Sequence, residues 1–252
     1  MDVLFCSFNR KEMTIASLTQ LHHVTRRAQI VCFDDGSTDG TADWVRDFCH
    51  QHRIAWRRRL EDDRMGGPVA IMNWWLSQPG APLFAKIDND VILPTGWLEA
   101  AERVMVAHPE LDILGLEPPQ SRTCAPWRAQ EEHDRLDVPE SSFAGGLEGF
   151  APAHSVGGVA VIRRSAFYGK PEMRQVRIYG GFYHWQLQHA SVLKGWIVPP
   201  LKLFLLDRVP VEPWLSLSVE YIRKGWQRPW TNYDLRDRAL WEWFTSPRPA
   251  SL

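Results

Sequence analysis

Two aspartates separated by one residue, Asp88 and Asp90, follow the apolar run of residues 83–87. Such a run predicts a buried strand, and ligands gather at strand ends in open α/β sheets. Carboxylate oxygens are hard ligands for a divalent cation, which keeps open positions for waters and phosphate oxygens. An Asp-x-Asp tripeptide is also common in ordinary surface turns, so the interpretation depends on the residues around it.

Polar residues follow two other short apolar runs in the same way. Ser7, Asn9 and Arg10 come after the run of residues 3–6 and could hold a base or a phosphate. Residues 29–33 lead into Asp34 and Asp35 and then into a Gly-Ser-Thr-Asp-Gly-Thr turn. Acidic side chains there can accept hydrogen bonds from a base imide and from ribose hydroxyls. A well-capped turn, using Asp and Gly for their backbone preferences, would explain the second segment equally well.

The elements that must position these residues alternate along the first hundred positions. Apolar runs predict strands, and apolar residues at helical spacing predict helices between them. The predicted strands are 3–6, 29–33, 54–56 and 83–87, and the predicted helices lie near 13–21, 41–49, 69–76 and 97–108. This alternation predicts an α/β fold with a mostly parallel central sheet flanked by helices on both faces.

The second half of the chain is less regular. Residues 117–155 lack periodicity and are rich in Pro, Gly, Glu and Arg, which indicates a lid, a binding loop or a disordered segment. A strand is predicted at 158–163, a helix from about 182 to 194, and a strand over 196–206 interrupted by two prolines.

Bulk properties exclude several classes of protein. The 252 residues carry a formal net charge of -1, so there is no overall attraction to nucleic acid or to anionic membranes. Four cysteines without Cys-x-x-Cys spacing indicate reduced packing residues. No signal peptide is visible, and no stretch approaches the ~18 apolar residues that span a bilayer. We therefore expect a soluble, cytoplasmic protein with no integral membrane segment.

Taken in order, the motifs resemble those of glycosyltransferase family 2. The first strand and its end are similar to the first-strand signature of that family, a strand that ends in Thr-Tyr-Asn-Arg. The Asp-Asp-Gly-Ser segment matches the family's second-strand motif almost letter for letter. The segments that carry the resemblance are residues 5–10 (FCSFNR), 34–41 (DDGSTDGT), 66–73 (GGPVAIMN), 86–90 (KIDND) and 157–167 (GGVAVIRRSAF). Several motifs in the right order are far more specific than any one of them.

The resemblance implies a GT-A-like fold and a division of the chain. Residues 1–206 would form the glycosyltransferase domain, with a nucleotide-sugar half at 1–105 and an acceptor half at 106–206. Residues 207–252 would form a Trp/Arg-rich C-terminal extension packed on the same domain.

The implied activity is metal-dependent transfer of a hexosyl or pentosyl group, with inversion, from a nucleotide-diphosphate sugar to a hydroxyl acceptor. A UDP-sugar is the expected donor and a glycan or cell-surface precursor the expected acceptor. Mn²⁺ or Mg²⁺ would bind Asp90 directly, with Asp88 on the metal or the ribose. The residues implied for nucleotide-sugar binding are Ser7, Asn9, Arg10, Asp34, Asp35, Gly67, Asn73, Asp88 and Asn89, and those for the acceptor side are Gly157, Gly158 and Trp185.

The chain departs from the family pattern at the catalytic base. The family presents an acidic Glu-Asp pair before a late helix, and the corresponding place here holds Tyr183-His184. A histidine is a competent base at neutral pH, so His184 can replace the carboxylate. It can equally be structural, with the base supplied by the long loop (Glu131, Glu132, Asp134 or Glu148). A retaining or altered mechanism, or an inactive enzyme, also fits this departure.

The aromatic and basic tail leaves the acceptor open. Trp, Tyr and Arg alternate after residue 207, and aromatic faces stack on sugars and nucleobases alike. Together with the basic run 57–59, the tail suggests a hydroxylated base in DNA as a second possible acceptor. A third possibility is a nucleotide-binding module without turnover. A nucleotidyltransferase would need a basic Gly-rich loop near the first strand, and residues 7–10 provide none.

Overall fold

A computed structural model describes residues 1–59, 68–116, 149–153, 155–173, 181–189, 191–198, 201 and 203–206, together with a few isolated positions up to 224. Gly67, the loop carboxylates between 117 and 148, and nearly all of the predicted C-terminal extension lie outside these residues. Within the described part of the chain, no helix has the length and apolar character needed to cross a membrane.

The first seven predicted elements are present in the predicted order. They are β1 (Asp2–Ser7), α1 (Lys11–Val24), β2 (Gln29–Asp34), α2 (Thr41–His52), β3 (Ala55–Arg58), α3 (Pro68–Ser77) and β4 (Leu83–Asp88). The apolar runs of β1 and β4 are buried on both faces, which is typical of central strands between two helical layers.

The second half differs from the sequence prediction in several places. Its elements are β5 (Val91–Ile92), α4 (Trp97–Ala107), β6 (Ile113–Gly115), β7 (Gly149–Ala153), β8 (Ala160–Arg163), a short 3₁₀ helix (Arg164–Phe167), α5 (Gly181–Gln188), β9 (Lys194–Val198) and β10 (Phe204–Leu205). The predicted helix at 182–194 ends six residues early, and the predicted strand at 196–206 is two separate strands. β6 and β7 were not predicted, because short strands give little periodicity.

Among the described residues, eight strands form one sheet in the order β3-β2-β1-β4-β8-β6-β9-β7. The β1–β2, β2–β3, β1–β4 and β6–β9 pairs are parallel, whereas β8 runs antiparallel to β4 and β6, and β7 runs antiparallel to β9. The predicted α/β fold with a mostly parallel sheet is therefore confirmed. The two halves share this sheet through the β4–β8 pair, and the proposed domain boundaries stay a prediction.

Helices cover both faces of the sheet and create two cores. One core contains side chains of α1, α2 and α4, including Leu18, Val45 and Trp97. The other contains side chains of α3 and α5, including Met72 and Trp185. The sheet is thus the middle of three layers.

Two consecutive arginines, the last residue of β8 and the residue after it, hold the helical layers in place. Arg163 donates to the carbonyl of Met105 near the end of α4, at 2.8 Å. Arg164 donates to the carbonyls of Trp75 and Gln78 at the end of α3, at 2.9 and 3.0 Å. Each guanidinium satisfies carbonyl groups that a helix C-terminus leaves without a partner. Neighbouring residues at this position therefore cap helices on opposite faces of the sheet.

Candidate functional site

The carboxyl ends of β1, β2 and β4 meet at one edge of the sheet. Ser7 is in register with Asp34, and Cys6 is in register with Asp88. The backbone N–H of Asp35 donates to the carbonyl of Ser7 at 2.8 Å, which extends the β1–β2 pairing by one step. The three loops that carry the predicted polar residues therefore leave the sheet side by side.

The Asp34 carboxylate organises the loop after β2. It is fully buried and accepts hydrogen bonds from the backbone N–H groups of Gly36 and Ser37, at 3.1 and 2.8 Å. It also accepts from the hydroxyls of Ser37 and Ser7, at 2.5 and 3.0 Å. Because its oxygens already have four donors, we assign Asp34 and Ser7 to the support of the site.

Asn9 and Asn89 link the three loops. Asn9 Oδ1 accepts from the N–H of Thr38 at 2.8 Å, which joins the first loop to the second. Asn89 Nδ2 donates to the carbonyl of Asn9 at 2.9 Å and to the hydroxyl of Thr14 at 2.7 Å, which joins the third loop to the first. Both asparagines are buried. Buried, satisfied amides of this kind fix the relative positions of the loops.

The turn after β1 is conformationally strained. Asn9 and Arg10 both have left-handed backbones, with φ of 50° and 61°. Asn tolerates this region, whereas Arg pays a cost on the order of 1 kcal/mol or more. The turn directs the Arg10 side chain back across the loops towards the Asp-x-Asp segment.

Asp90 is paired with Arg10. Arg10 Nη1 donates to Asp90 Oδ2 at 2.7 Å, and Nη2 donates to Asn89 Oδ1 at 2.6 Å, so one guanidinium bridges both residues. The side chains of Arg10 and Asp90 are 14% and 11% exposed. The carbonyl of Asp90 accepts from the N–H of Leu206 at 2.7 Å, beside the antiparallel β5–β10 pair. A segment far along the chain thus holds the Asp-x-Asp loop from outside the main sheet.

Asp88 is paired with Lys86 and is more accessible, with 33% of its side chain exposed. Lys86 Nζ donates to Asp88 Oδ1 and to the carbonyl of Gly158, the latter at 2.9 Å. A Cβ atom at Gly158 would lie 2.6 Å from Asp88 Oδ2, so any larger residue at this position would force the Asp88 side chain to move. Gly158 was predicted on the acceptor side, and it lies directly against Asp88.

The loop after β2 is held by two arginines at the end of β3. Arg59 Nε lies 2.9 Å from Asp35 Oδ1, and Arg59 Nη2 donates to the carbonyl of Asp35 at 2.9 Å. Arg58 Nη2 donates to the carbonyl of Ser37 at 3.0 Å, and its Nε lies 3.9 Å from Asp34 Oδ1. Asp34, Asp35, Asp88 and Asp90 therefore each have a basic side chain beside them.

Two other residues predicted to bind ligand make contacts within the protein. The Asn73 amide donates to the carbonyl of Met173 at 2.8 Å and accepts from its N–H at 3.0 Å, so we expect it to hold this loop. The indole of Trp185 is buried and stacks on Phe167 with ring centroids 4.2 Å apart. The Trp185 ring is therefore covered by its neighbours, and its role on the acceptor side stays a prediction.

The helix that carries Tyr183-His184 is tied to the segment before Gly157-Gly158. Gln186 is fully buried, accepts from the N–H of Val156 at 2.8 Å and donates to its carbonyl at 3.2 Å. Lys194 Nζ donates to the carbonyl of Gln186 at the end of α5, at 2.9 Å. The structure places His184 within α5, and its side chain lies outside the described part.

Phe8 and Lys86 belong to the site but were not predicted. Phe8 is 39% exposed among buried polar neighbours, at the edge where the three loops emerge. An apolar residue between Ser7 and Asn9, at a predicted strand end, was a visible signal. Lys86 was also visible, as a charge within the otherwise apolar run of β4.

The cysteine nearest the site has no reactive thiol. Cys6 lies next to Asp88 across the β1–β4 pair, and burial raises the pKa of its thiol to about 12, although the Lys86 ammonium acts in the opposite direction. The thiol therefore stays protonated at neutral pH. Cys6, Cys32 and Cys49 are free and buried, as expected of packing residues.

The carboxylates of Asp88 and Asp90 fit a hard divalent cation. Within the described residues there is no cluster of three or more His, Cys, Asp or Glu side chains that could enclose a metal ion. Mg²⁺ commonly uses only one or two carboxylates and takes its remaining ligands from water and substrate phosphates. Two carboxylates one residue apart at the end of a strand match that arrangement.

Comparison with known proteins identifies the family. The sequence profile of glycosyl transferase family 2 matches residues 2–169 of the 252. The chain belongs to glycosyl transferase family 2. The matched region contains β1 through β8, and hence every side chain described above except those on α5 and β9. A search of curated proteins found no match.

Solved structures show the same fold at low sequence identity. The Pyrobaculum calidifontis mannosyltransferase PcManGT, in complex with GDP-Man and Mn²⁺, aligns with a TM-score of 0.59 and 19% identity, over 79% of this chain and 54% of that chain. S. aureus TarS 1–349 aligns with a TM-score of 0.57 and 14% identity, over 96% of this chain and 78% of that chain. TarS 1–349 in complex with UDP-GlcNAc aligns with a TM-score of 0.56 and 14% identity, over 95% of this chain and 69% of that chain. This chain thus spans about half the length of the mannosyltransferase.

Proposed function

We propose that this family 2 member transfers a sugar from a nucleotide-diphosphate sugar to a hydroxyl acceptor, with inversion and with the help of a divalent cation. The observation that carries the proposal is the convergence of Asp35, Asp88 and Asp90 at one sheet edge, on loops held together by buried hydrogen bonds. Rigid loops at a strand edge suit a substrate that presents a base, a ribose and a diphosphate.

Each part of the donor has a chemically matching group in this proposal. The exposed ring of Phe8 offers a stacking face for the base. The Asp35 carboxylate, at the start of the neighbouring loop, accepts from the base imide or a ribose hydroxyl. Arg10 and the Asp-x-Asp carboxylates lie where the diphosphate would follow. We propose a UDP-sugar as donor, supported by the similarity of the fold to TarS 1–349 in complex with UDP-GlcNAc.

In the reaction, an acceptor oxygen attacks the anomeric carbon while the bond from that carbon to the diphosphate oxygen breaks. The bonding electrons leave with the nucleoside diphosphate, and the acceptor proton must go to a base. Asp88 and Asp90 would hold a divalent cation, which would neutralise the negative charge on the leaving diphosphate. Asp90 would then give up its contact with Arg10, whose guanidinium would donate to the diphosphate instead.

We propose His184 as the base that receives the acceptor proton. It lies in α5, and Gln186 ties this helix to the Val156 backbone, two residues before Gly158 and its contact with Asp88. An inverting reaction needs the base on the opposite side of the sugar from the leaving group. The helix on the acceptor side of the Asp-x-Asp segment is a suitable support for it.

A nucleotide panel with and without metal tests the proposal. Thermal unfolding is measured with UDP, GDP, ADP and dTDP, each with Mn²⁺, with Mg²⁺ or with EDTA. We expect the largest rise in melting temperature for UDP with Mn²⁺ or Mg²⁺, and release of free sugar and UDP from a UDP-sugar. If no nucleotide stabilises the protein under any of these conditions, the proposal is wrong. Stabilisation without sugar release would indicate a binding module.

A further inference from the structure

Lys86 is a charged residue in the interior of a sheet. It lies in β4 between Ala85 and Ile87, and only 3% of its surface is exposed. A lysine is almost never buried to this extent unless its ammonium is paired, because desolvation of an isolated charge is too costly. The contacts of the ammonium should therefore indicate its role.

The ammonium of Lys86 joins the Asp-x-Asp segment to the acceptor half. Side chains two positions apart in a strand share a face, so Lys86 and Asp88 lie side by side. Lys86 is in register with Ala160 of the antiparallel strand β8, and continuing that register places Gly158 opposite Asp88. Lys86 Nζ donates to both, to the Asp88 carboxylate and to the Gly158 carbonyl.

Gly158 closes the other side of the Asp88 carboxylate. A Cβ atom there would lie 2.6 Å from Asp88 Oδ2 and 3.2 Å from Lys86 Nζ. The carboxylate is thus confined between an ammonium on one oxygen and a glycine backbone against the other. Few orientations of the carboxylate satisfy both contacts.

We propose that Lys86 is a positioning residue, which orients Asp88 for the cation–diphosphate group and holds the acceptor-side segment at Gly158 against it. This inference rests on the proposed function. Lys86 acts through Asp88, because its own ammonium is buried and cannot reach a substrate. Through Gly158, and through the Val156–Gln186 hydrogen bonds, the same contact also sets the distance between the Asp-x-Asp segment and α5.

Substitution of Lys86 distinguishes a purely structural ion pair from one that orients Asp88. Removing one partner of a buried ion pair lowers stability because the other charge is left unpaired, whereas removing a group that orients a metal ligand also changes metal affinity or activity, typically about 10–100-fold. Lys86→Met removes the charge but keeps the length of the side chain. Lys86→Arg keeps the charge, and Gly158→Ala disturbs Asp88 from the opposite side without changing any charge.

The experiment is isothermal titration of UDP into the full chain with saturating Mn²⁺, repeated with EDTA, together with the melting temperature of each variant. Lys170→Met, at a partly exposed position in the turn after the 3₁₀ helix, is the control for loss of a lysine. We expect the Kd for UDP with Mn²⁺ to rise about 10–100-fold in Lys86→Met and in Gly158→Ala. Lys86→Arg should recover most of the affinity, and the EDTA titrations should change little.

The possible outcomes separate this inference from the proposed function. If the parent protein binds UDP with Mn²⁺ and Lys86→Met binds equally well, Lys86 does not position Asp88 and only this inference is wrong. If the parent shows no metal-dependent binding of UDP or GDP, the proposed function and this inference are both wrong. If Lys86→Met does not fold, Gly158→Ala and Lys86→Arg decide, and parental affinity in Gly158→Ala overturns the inference.

Discussion

The substitution Asp90→Asn examines the cation site with a minimal change of shape. Asp90 accepts a charged hydrogen bond from Arg10 at 2.7 Å, and both side chains are mostly buried. The amide of asparagine keeps one acceptor oxygen for Arg10 but removes the negative charge. A hydrogen bond between two charged groups is roughly twice as strong as a neutral one, so the unliganded protein should lose about 1 kcal/mol of stability.

The effect on ligand binding should be much larger than this loss. A ligand at 100 times its Kd stabilises a folded protein by about 2.7 kcal/mol. For a chain of this size each kcal/mol raises the melting temperature by roughly 2–4 °C. The parent should therefore gain about 5–10 °C from UDP with Mn²⁺ over UDP alone. Asp90→Asn should start roughly 2–4 °C lower and gain almost nothing from Mn²⁺.

The assay is thermal unfolding with UDP alone, Mn²⁺ alone and both together. Asp43→Asn is the matched control, because Asp43 is an exposed residue on α2 whose carboxylate pairs only with the surface residue Arg46 among its described contacts. The control should show the full response of the parent. A metal-dependent gain in Asp90→Asn equal to that of the parent would remove Asp90 from the cation site and with it the mechanism proposed here.

Three other substitutions address separate parts of the site. Arg10→Met should strengthen binding of Mn²⁺ alone, because Asp90 loses its competing partner, and should weaken the effect of Mn²⁺ and UDP on each other's affinity. Calorimetric titration of Mn²⁺ with and without UDP, and of UDP with and without Mn²⁺, measures both effects. An unchanged effect of one ligand on the affinity of the other would contradict the prediction. His184→Ala should lower kcat by about 10²–10⁴-fold with the Kd of UDP unchanged, as loss of a general base does. Near-parental turnover would exclude His184 as the base and leave the loop carboxylates as the candidates. Arg164→Met leaves two carbonyl groups at the end of α3 and that of Ala81 in the following loop without their donor. It should destabilise the protein by about 3 kcal/mol, a fall of roughly 6–12 °C in melting temperature. A fall of less than 2 °C would show that water satisfies these carbonyls.

The first half of the fold could be predicted because its signals are local. Each of β1, β2 and β4 is an apolar run that ends in polar residues, and the helices between them show helical spacing of apolar side chains. The order of motifs then limits the topology to a sheet in which these strands are parallel neighbours. Predicted bounds differ from the observed ones by a few residues, which is the usual uncertainty of element ends.

The second half could not be predicted equally well, because its strands depend on distant partners. β6 has three residues and pairs with β8 and β9, which lie far along the chain. β7 contains a proline, Pro152, and lies at the edge of the sheet, where proline is tolerated. Neither strand has enough alternating residues to give a pattern in sequence.

The roles of the site residues also could not be assigned from the sequence without the structure. Ser7, Asn9, Asp34 and Asn89 are polar residues at strand ends, so sequence reasoning places them with the ligand. In the structure their polar atoms bond to one another and to the loop backbones. Which polar atoms are already satisfied cannot be read from residue type. It depends on the angles at which three loops leave the sheet.

The pairing of charges at this edge carries a consequence for binding. The four carboxylates of Asp34, Asp35, Asp88 and Asp90 lie beside Arg58, Arg59, Lys86 and Arg10, and the formal charges of these eight groups cancel. A divalent cation alone must displace Arg10 from Asp90 and place its charge beside the freed guanidinium. A diphosphate that binds without a cation is repelled by the carboxylates of Asp88 and Asp90. With both bound, Asp90 would hold the cation and Arg10 would donate to the diphosphate, so that each charge would again have a partner. We therefore expect cation and nucleotide to bind as a unit.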